Sequence, residues 1–504
     1  MKKLKRTLYL VHRWLGIVMC LFIGMWFFSG VVMMYIGFPS LTETERLNGL
    51  PTLNTKTIKT PLSQFTESIS PNTQLNSLKL TSVLNRPAYL AFTETGQWLG
   101  MFADNGEALA SISPAQAKHA ALLHFKNATH AKNITAQDAE LIEFDQWTVS
   151  SSLKKFRPLY NVSLSDDNHS QLYVSSITGT VARDTTQTER IWNWLGANLH
   201  WIYPVALRQH ASLWADIIIV ISIAGLVVVI TGAYIGILRL RLKRLYRGTS
   251  NTPYRGIMKL HHLVGLGFTF FLITYLFSGL MSMNPWGVFN DNEPFEPQHN
   301  RYQFGVNYHA QPNQGLAWFA SNPHQFNHLK EIISREKPKE ITWHWIGGQS
   351  YVVTNKFESE RNVFINNPHN KNAPAFELEH LISASQGLLI PNATITKRET
   401  LEQYDLYYYS HHERFRPLPA LRIQFNDENK TWFHVDKQTG EIINRLTYTG
   451  RVKRWLYHGL HSLDFTVLIQ NHPLWDIVVI VLSLIGFVFS ITSIKIALAR
   501  LKRI

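Results

Sequence analysis

The chain is nearly without cysteine, holding one, Cys20, in 504 residues. A single thiol excludes an intramolecular disulfide, a thiolate zinc site and a cysteine-ligated iron–sulfur cluster within one chain. No C-x-x-C-H occurs, which excludes covalent c-type haem attachment. No nicotinamide or flavin fingerprint is visible. Acid is the scarcer sign of charge, 35 Asp and Glu against 49 Lys and Arg, for a net +14. Such an excess raises the prospect of a nucleic-acid binder. The basic runs, however, hug apolar segments, which argues against nucleic acid as a partner.

What is abundant is apolar residues, and they are unevenly placed. Four stretches, roughly 14–36, 213–238, 263–283 and 474–494, each approach the ~20 residues that cross a hydrocarbon core as a helix. Lys2, Lys3, Lys5, Arg6 and Arg13 lead into the first, "RLRLKRLYRG" follows the second and "ARLKRI" follows the fourth. The positive-inside rule then puts both termini and the central linker in the cytoplasm. The expected fold class is a membrane α-helical protein with four transmembrane helices and two α+β domains on the far side, the periplasm of a Gram-negative cell. A cleaved signal peptide is not expected, because the first apolar run is long and no small-x-small site follows it.

The two halves repeat. His12, Gly16 and Ser29-Gly30 match His261, Gly265 and Ser278-Gly279, each 249 residues on. Arg190, Trp194, His200 and Trp214 match Arg451, Trp455, His461 and Trp475, each 261 residues on. "FRPL" at 156–159 is set against "FRPL" at 415–418, and "TG" at 178–179 against "TG" at 439–440. The reading is a duplicated span–domain–span unit, two parallel copies about an axis along the membrane normal.

The expected division is 1–38 and 191–240 for the first two spans with their approaches, and 260–284 and 451–497 for the last two. The outer domains are 39–190 and 285–450, and 241–259 and 498–504 are cytoplasmic. Ser113-Pro114 before "AQAKHAALLHF" reads as a capped amphipathic helix. "FELEHLISASQGLL" occupies the matching place, and alternating runs turning at Thr-Gly read as hairpins in each half. Residues 285–370 read as strand-rich material without a counterpart in the first half.

Four of the 22 histidines stand apart. His12 and His261 sit at equal depth near the cytoplasmic face, His200 and His461 at equal depth near the outer face. A single interfacial histidine is ordinarily just a tolerated residue. Two repeat-related pairs argue for a task, since ionisable groups at a span usually have one. Opposed imidazoles suit bis-histidine ligation of a haem iron, which makes two b-type haems the expected cofactors. His262 beside His261, and His458 one turn before His461, stand as alternative ligands or partners for a haem carboxylate. A four-histidine zinc site is the rival metal reading, without the carboxylate second shell such a site favours. Asp216, Asp464 and Asp476 near the outer ends are weighed for a proton or metal path, against capping or solvation.

"LVHRWLGIVMCLFIGMWFFSGVVM", the "FRPL…TG" modules and "WLYHGLHSL" resemble the PepSY-associated transmembrane proteins, a group that includes siderophore-linked inner-membrane reductases. The likeness covers nearly the whole chain, though "RPLYNVSLS" departs from the module seen in "RPLPALRIQF…DKQTGEI". The resemblance implies haem-containing carriers that move electrons outward to reduce ferric-siderophore iron. It leaves open the donor, a quinol or a cytoplasmic reductase. Aromatics and cations at the outer face, Trp201 and Trp286 with Arg190 and Arg451, would then meet an anionic, partly apolar chelate. The resemblance also carries a rival, a PepSY-bearing sensor or peptidase inhibitor without redox activity.

Overall fold

The computed structural model describes residues 2–503 apart from 71, 72, 74, 247–249, 291–294, 306–322, 359, 366–375, 377, 391 and 411–414. Four of its helices are long and apolar enough to cross a membrane. They are the first span (Lys2–Tyr35), the second (Ala211–Arg239), the third (Gly256–Ser282) and the fourth (His472–Leu501). At 1.5 Å per residue they are roughly 40–50 Å long, beyond the ~30 Å of a hydrocarbon core. Each span thus has polar-zone turns to spare at its ends; His12 and His261 lie in the N-terminal parts of the first and third, and His200 and His461 in short segments ahead of the second and fourth.

The first span packs against the second and the fourth, and the third also packs against the second and the fourth. The first and third therefore face each other across the bundle. Met19, Ile23, Phe27, Val228, Val229, Phe268, Leu272 and Leu276 fill the space between. Val18, Val220, Phe270 and Val488 point outwards, as expected of helices apolar on every side. Close approach is bought with glycine. A Cβ on Gly486 would lie 2.4 Å from the Phe27 ring, and one on Gly225 would lie 3.1 Å from Leu276.

Beyond the bundle lie three antiparallel sheets. One has the order β4-β5-β6-β7, from Ala136–Ile142, Leu159–Leu164, Gln171–Ser175 and Val181–Thr185. Helix Pro114–Thr129 packs on it, with Ser113 capping and Gln116 closing the capping box. The second has the order β11-β12-β13-β14, from Ile395–Leu401, Ala420–Phe425, Trp432–Asp436 and Ile442–Leu446. Strands β5, β6 and β7 start 261 residues before β12, β13 and β14. The "FRPL" match, 259 residues apart, is therefore out of register. The loop before β12 is two residues longer, and Pro158 corresponds to Pro419, each after a cis peptide.

The third sheet joins the halves. Its order is β10-β9-β8-β1-β2-β3, from Glu360–Ile365, Gln349–Phe357, Glu340–Ile346, Leu75–Val83, Arg86–Thr93 and Trp98–Phe102. β1 and β8 pair at its centre through Leu78↔Trp343, Lys79↔Thr342 and Leu80↔Ile341. Leu78, Leu80 and Tyr89 share one core with Ile341, Trp343 and Val352. The strands within 285–370 thus do have a counterpart in the first half, the meander β1–β3. The likeness is invisible in sequence because the hairpin turns use different chemistry. Leu84-Asn85 and Gly347-Gly348 both take positive φ, yet share no residue type.

Candidate functional site

The four histidines meet as two pairs. His12 on the first span and His261 on the third have ring centroids 6.5 Å apart. His200 and His461, each in a short helical segment just ahead of the second and fourth spans, have centroids 6.0 Å apart. Ser29 and Ser278, which contact the second pair, lie seventeen residues along their spans from His12 and His261. That places the two pairs about 26 Å apart along the bundle.

Hydrogen bonds engage Nδ1 of every ring. His12 Nδ1 lies 3.0 Å from the Val228 carbonyl, which can only accept, so Nδ1 carries the proton. His200 Nδ1 lies 3.1 Å from Ser29 Oγ, whose own hydrogen goes to the Met25 carbonyl. His461 Nδ1 lies 3.0 Å from Ser278 Oγ, which donates to the Tyr275 carbonyl. His261 Nδ1 faces Ser493 Oγ at 3.2 Å and Thr492 Oγ1 at 3.4 Å, and both hydroxyls donate to Phe489 O. Every ring is thus engaged through Nδ1, and with Nδ1 donating, Nε2 is the nitrogen that could hold a metal. Such an outer hydrogen bond is what orients metal-binding histidines and raises their basicity.

The spacing suits one metal between each pair. With nitrogen about 2 Å from a metal on either side, two imidazole centroids fall roughly 6 Å apart. Among the described residues no group of three or more His, Cys, Asp or Glu side chains converges. Structural zinc wants four protein ligands. Two opposed imidazoles instead match a metal whose other positions are filled by a macrocycle.

The framework holds each outer-pair ring from several directions. Trp214 Nε1 donates to Trp201 O and Trp475 Nε1 to Ser462 O, the residues just after His200 and His461. Trp26 Nε1 donates to His200 O at 2.9 Å. Arg190 donates to Thr185 O, Thr185 Oγ1 and His169 O, and Arg451 to Lys430 O and Leu446 O. These two arginines, read from sequence as cations for a ligand, tie the histidine-bearing segments to the adjacent sheets. Trp201 packs with Phe38 and Tyr203, whereas Trp286 is 78% exposed just beyond the third span.

The alternative ligands are placed elsewhere. His262 has both ring nitrogens engaged, Nδ1 with Thr252 Oγ1 at 2.7 Å and Nε2 with Gly236 O at 2.9 Å. His458 is half-exposed beside Asp464, with Nδ1 3.8 Å from its carboxylate. Asp464 is fully buried and Asp216 exposed. Sequence reasoning assigned no role to Ser29 and Ser278, though both stand in the repeated Ser-Gly signature. It did not find the Val228 carbonyl, Ser493, Thr492 or Gly232 at all. A backbone acceptor leaves no mark in sequence, and Gly232 looks like any glycine of a membrane helix.

Fold and site together describe a membrane protein with four apolar helices long enough to span, α+β sheets and two close histidine pairs. The chain belongs to the family of the PepSY-associated TM region, whose family model matches residues 9–500. No curated protein matches the sequence.

Proposed function

We propose that this chain is a di-haem electron carrier of the bacterial inner membrane that reduces a ferric chelate, such as a ferric siderophore, in the periplasm. It is two copies of one span–domain–span unit, with termini and linker cytoplasmic and the sheets periplasmic. The observation that carries this reading is the close pair of imidazoles towards each end of the bundle, with ring centroids 6.5 and 6.0 Å apart and every Nδ1 engaged. His12 and His261 would hold one haem b, His200 and His461 the other. A haem iron between two imidazoles takes up and gives back one electron with its ligands in place.

The protein's own part is to hold, space and dry the two sites. Val228 O and the hydroxyls of Ser29, Ser278, Ser493 and Thr492 keep each ring turned towards the axis. Met19, Ile23, Phe27, Phe268, Leu272 and Leu276 form a buried apolar cluster in the bundle. Trp286 offers an exposed aromatic face at the periplasmic end, where a partly apolar chelate would stack. Electrons arrive from a quinol or a cytoplasmic reductase.

The test is colour and stoichiometry. Protein purified from haem-replete cells is expected to carry two haems per chain, with a Soret band and a sharp α-band after dithionite. Ferric siderophore should reoxidise the reduced protein. A colourless preparation would sink the reading in favour of a PepSY-bearing sensor or peptidase inhibitor.

A second expectation concerns Gly232. A Cβ there would lie 2.5 Å from His12 Cε1 and 3.0 Å from Nδ1, so the ring must move. Gly232→Ala should weaken retention of the cytoplasmic-side haem by about 10–100-fold, the usual cost of disturbing an outer shell. Gly30→Ala, whose Cβ would meet His200 Cε1 at 3.5 Å, should be tolerated. Equal haem loss in both variants, or in neither, would contradict this.

A further inference from the structure

The halves differ sharply just before the outer histidines. In the second half, Arg454–Gly459 forms a π-helical turn, a rare feature that recurs at functional sites. The corresponding residues of the first half, 193–198, run instead through the end of the α-helix Gln187–Leu195, its cap Gly196 and the start of the helix Ala197–His200. Arg454 opens the π-turn, and its counterpart 261 residues earlier is Asn193.

Arg454 is only 6% exposed. Its Nε donates to Leu406 O at 2.7 Å, and its Nη2 donates to the main-chain oxygen of Asp464. The guanidinium carbon lies 4.3 Å from the centre of the Trp455 ring and 5.6 Å from that of Tyr409. Nη1 has no hydrogen-bond partner among the described residues. Nor does any described carboxylate form an ion pair with this guanidinium. The Asp464 carboxylate is turned to Tyr409 Oη at 3.0 Å and to His458. Among the described residues this buried guanidinium is met by neutral oxygens alone, and burying a charge without a counter-charge is costly.

No side chain stands against Nη1 from position 459. Gly459, buried at the other end of the π-turn, would place a Cβ 3.4 Å from Nη1 and 3.1 Å from the Trp455 ring. His461 follows Arg454 by seven residues, roughly 10 Å along a helix. The carboxylate arms of a haem hang from one edge of its macrocycle, on the scale of that distance from the iron. A planar guanidinium with a free N–H is suited to a carboxylate.

We infer that Arg454 Nη1 anchors a carboxylate at the outer histidine pair, and that this carboxylate is a propionate of the haem held there. The inference rests on the di-haem reading. It makes the outer site asymmetric, anchored from the second half and not the first. An anionic ferric chelate is the other source of the same group.

The test uses the full-length holoprotein in detergent. Arg454→Asn installs the first-half residue, and Gly459→Ala crowds Nη1 while keeping the arginine. Each haem's midpoint potential is read by spectroelectrochemical titration without substrate. A nearby cation favours the reduced, more negative form of a haem. The outer haem's midpoint should therefore move negative in Arg454→Asn and less so in Gly459→Ala, with the inner midpoint unchanged. Unmoved potentials with slower reoxidation by ferric citrate would assign the carboxylate to the chelate, overturning the propionate. Unchanged potentials and unchanged reoxidation in Gly459→Ala, in a protein still holding two haems, would overturn the anchor altogether. Haem-free parent protein would instead refute the di-haem reading, so the two failures are distinguishable. Should Arg454→Asn not fold, Gly459→Ala decides alone.

Discussion

Alanine at His461 is expected to abolish the six-coordinate outer haem and leave the inner one spectroscopically intact, and His200→Ala should do the same. His12→Ala and His261→Ala should each abolish the inner haem and spare the outer. The argument is geometric. On the di-haem reading each site would have two protein ligands and no described third, so losing either would remove half the protein's hold on the metal. Within a pair the rings are 6.5 or 6.0 Å apart, while the pairs are about 26 Å apart, too far for one ring to substitute for another. The surviving imidazole keeps its Nδ1 partner, so the variants should stay folded. Ser278→Ala should act in the same direction more mildly, since it frees the His461 ring without removing it. Haem per chain and low-spin spectra, measured on all four alanine variants, check the scheme. Loss of different haems from His12→Ala and His261→Ala would break the pairing across the halves.

Much of this site was legible because repetition does in sequence what distance does in space. Offsets of 249 and 261 residues put His12 opposite His261 and His200 opposite His461 before any fold was known. Trp214 and Trp475 were matched in the same way, and the structure uses both to pin the turn after a histidine. What stayed hidden depends on contacts between distant segments. Ser29 touches His200 across 171 residues, and Val228 offers His12 only a carbonyl. Arg190 and Arg451 looked like ligand-binding cations because sequence cannot show that nearby strand ends and loops offer them carbonyl oxygens. The six-stranded sheet escaped for a related reason. Each half supplies a three-stranded meander whose inner edge, β1 or β8, is completed only by the other half. Reading one half alone cannot reveal such an edge.

That shared seam is where a single extramembrane substitution should cost most. Glu340, at the start of β8, is 2% exposed. Its carboxylate takes Arg46 Nη2 at 2.7 Å and Nη1 at 3.0 Å, and Lys79 Nζ lies 3.1 Å away. Arg46 is also held by Glu43, so two cations meet two anions. Lys79 sits on β1, one residue from Leu78, which pairs with Trp343 of β8. Glu340→Gln would leave Lys79 and Arg46 with Glu43 as the only anion of the cluster. Removing one partner of a buried ion pair costs about 3–5 kcal/mol. Amide exchange in β1 and β8 should therefore accelerate at least about a hundredfold, while the spectra of the two histidine-pair sites stay unchanged. Acid should separate the contributions. Burial would raise the Glu340 pKa, but Arg46 and Lys79 outweigh it and hold the carboxyl down at about 2. A depressed carboxyl contributes fully above its unfolded value of about 4.3, and the contribution is lost as pH falls towards the folded value. Nearby, burial and then the Arg46 and Lys339 charges hold His124 down at about 4. Its neutral form therefore supports the fold above about 6.5, and that support is lost as pH falls towards 4. The parent protein should lose seam protection in two stages, and Glu340→Gln should keep the upper stage and lack the lower. A substitution costing under about 1 kcal/mol, the range of an exposed pair, would show that the seam is held by its apolar core of Leu78, Leu80, Ile341 and Trp343 alone.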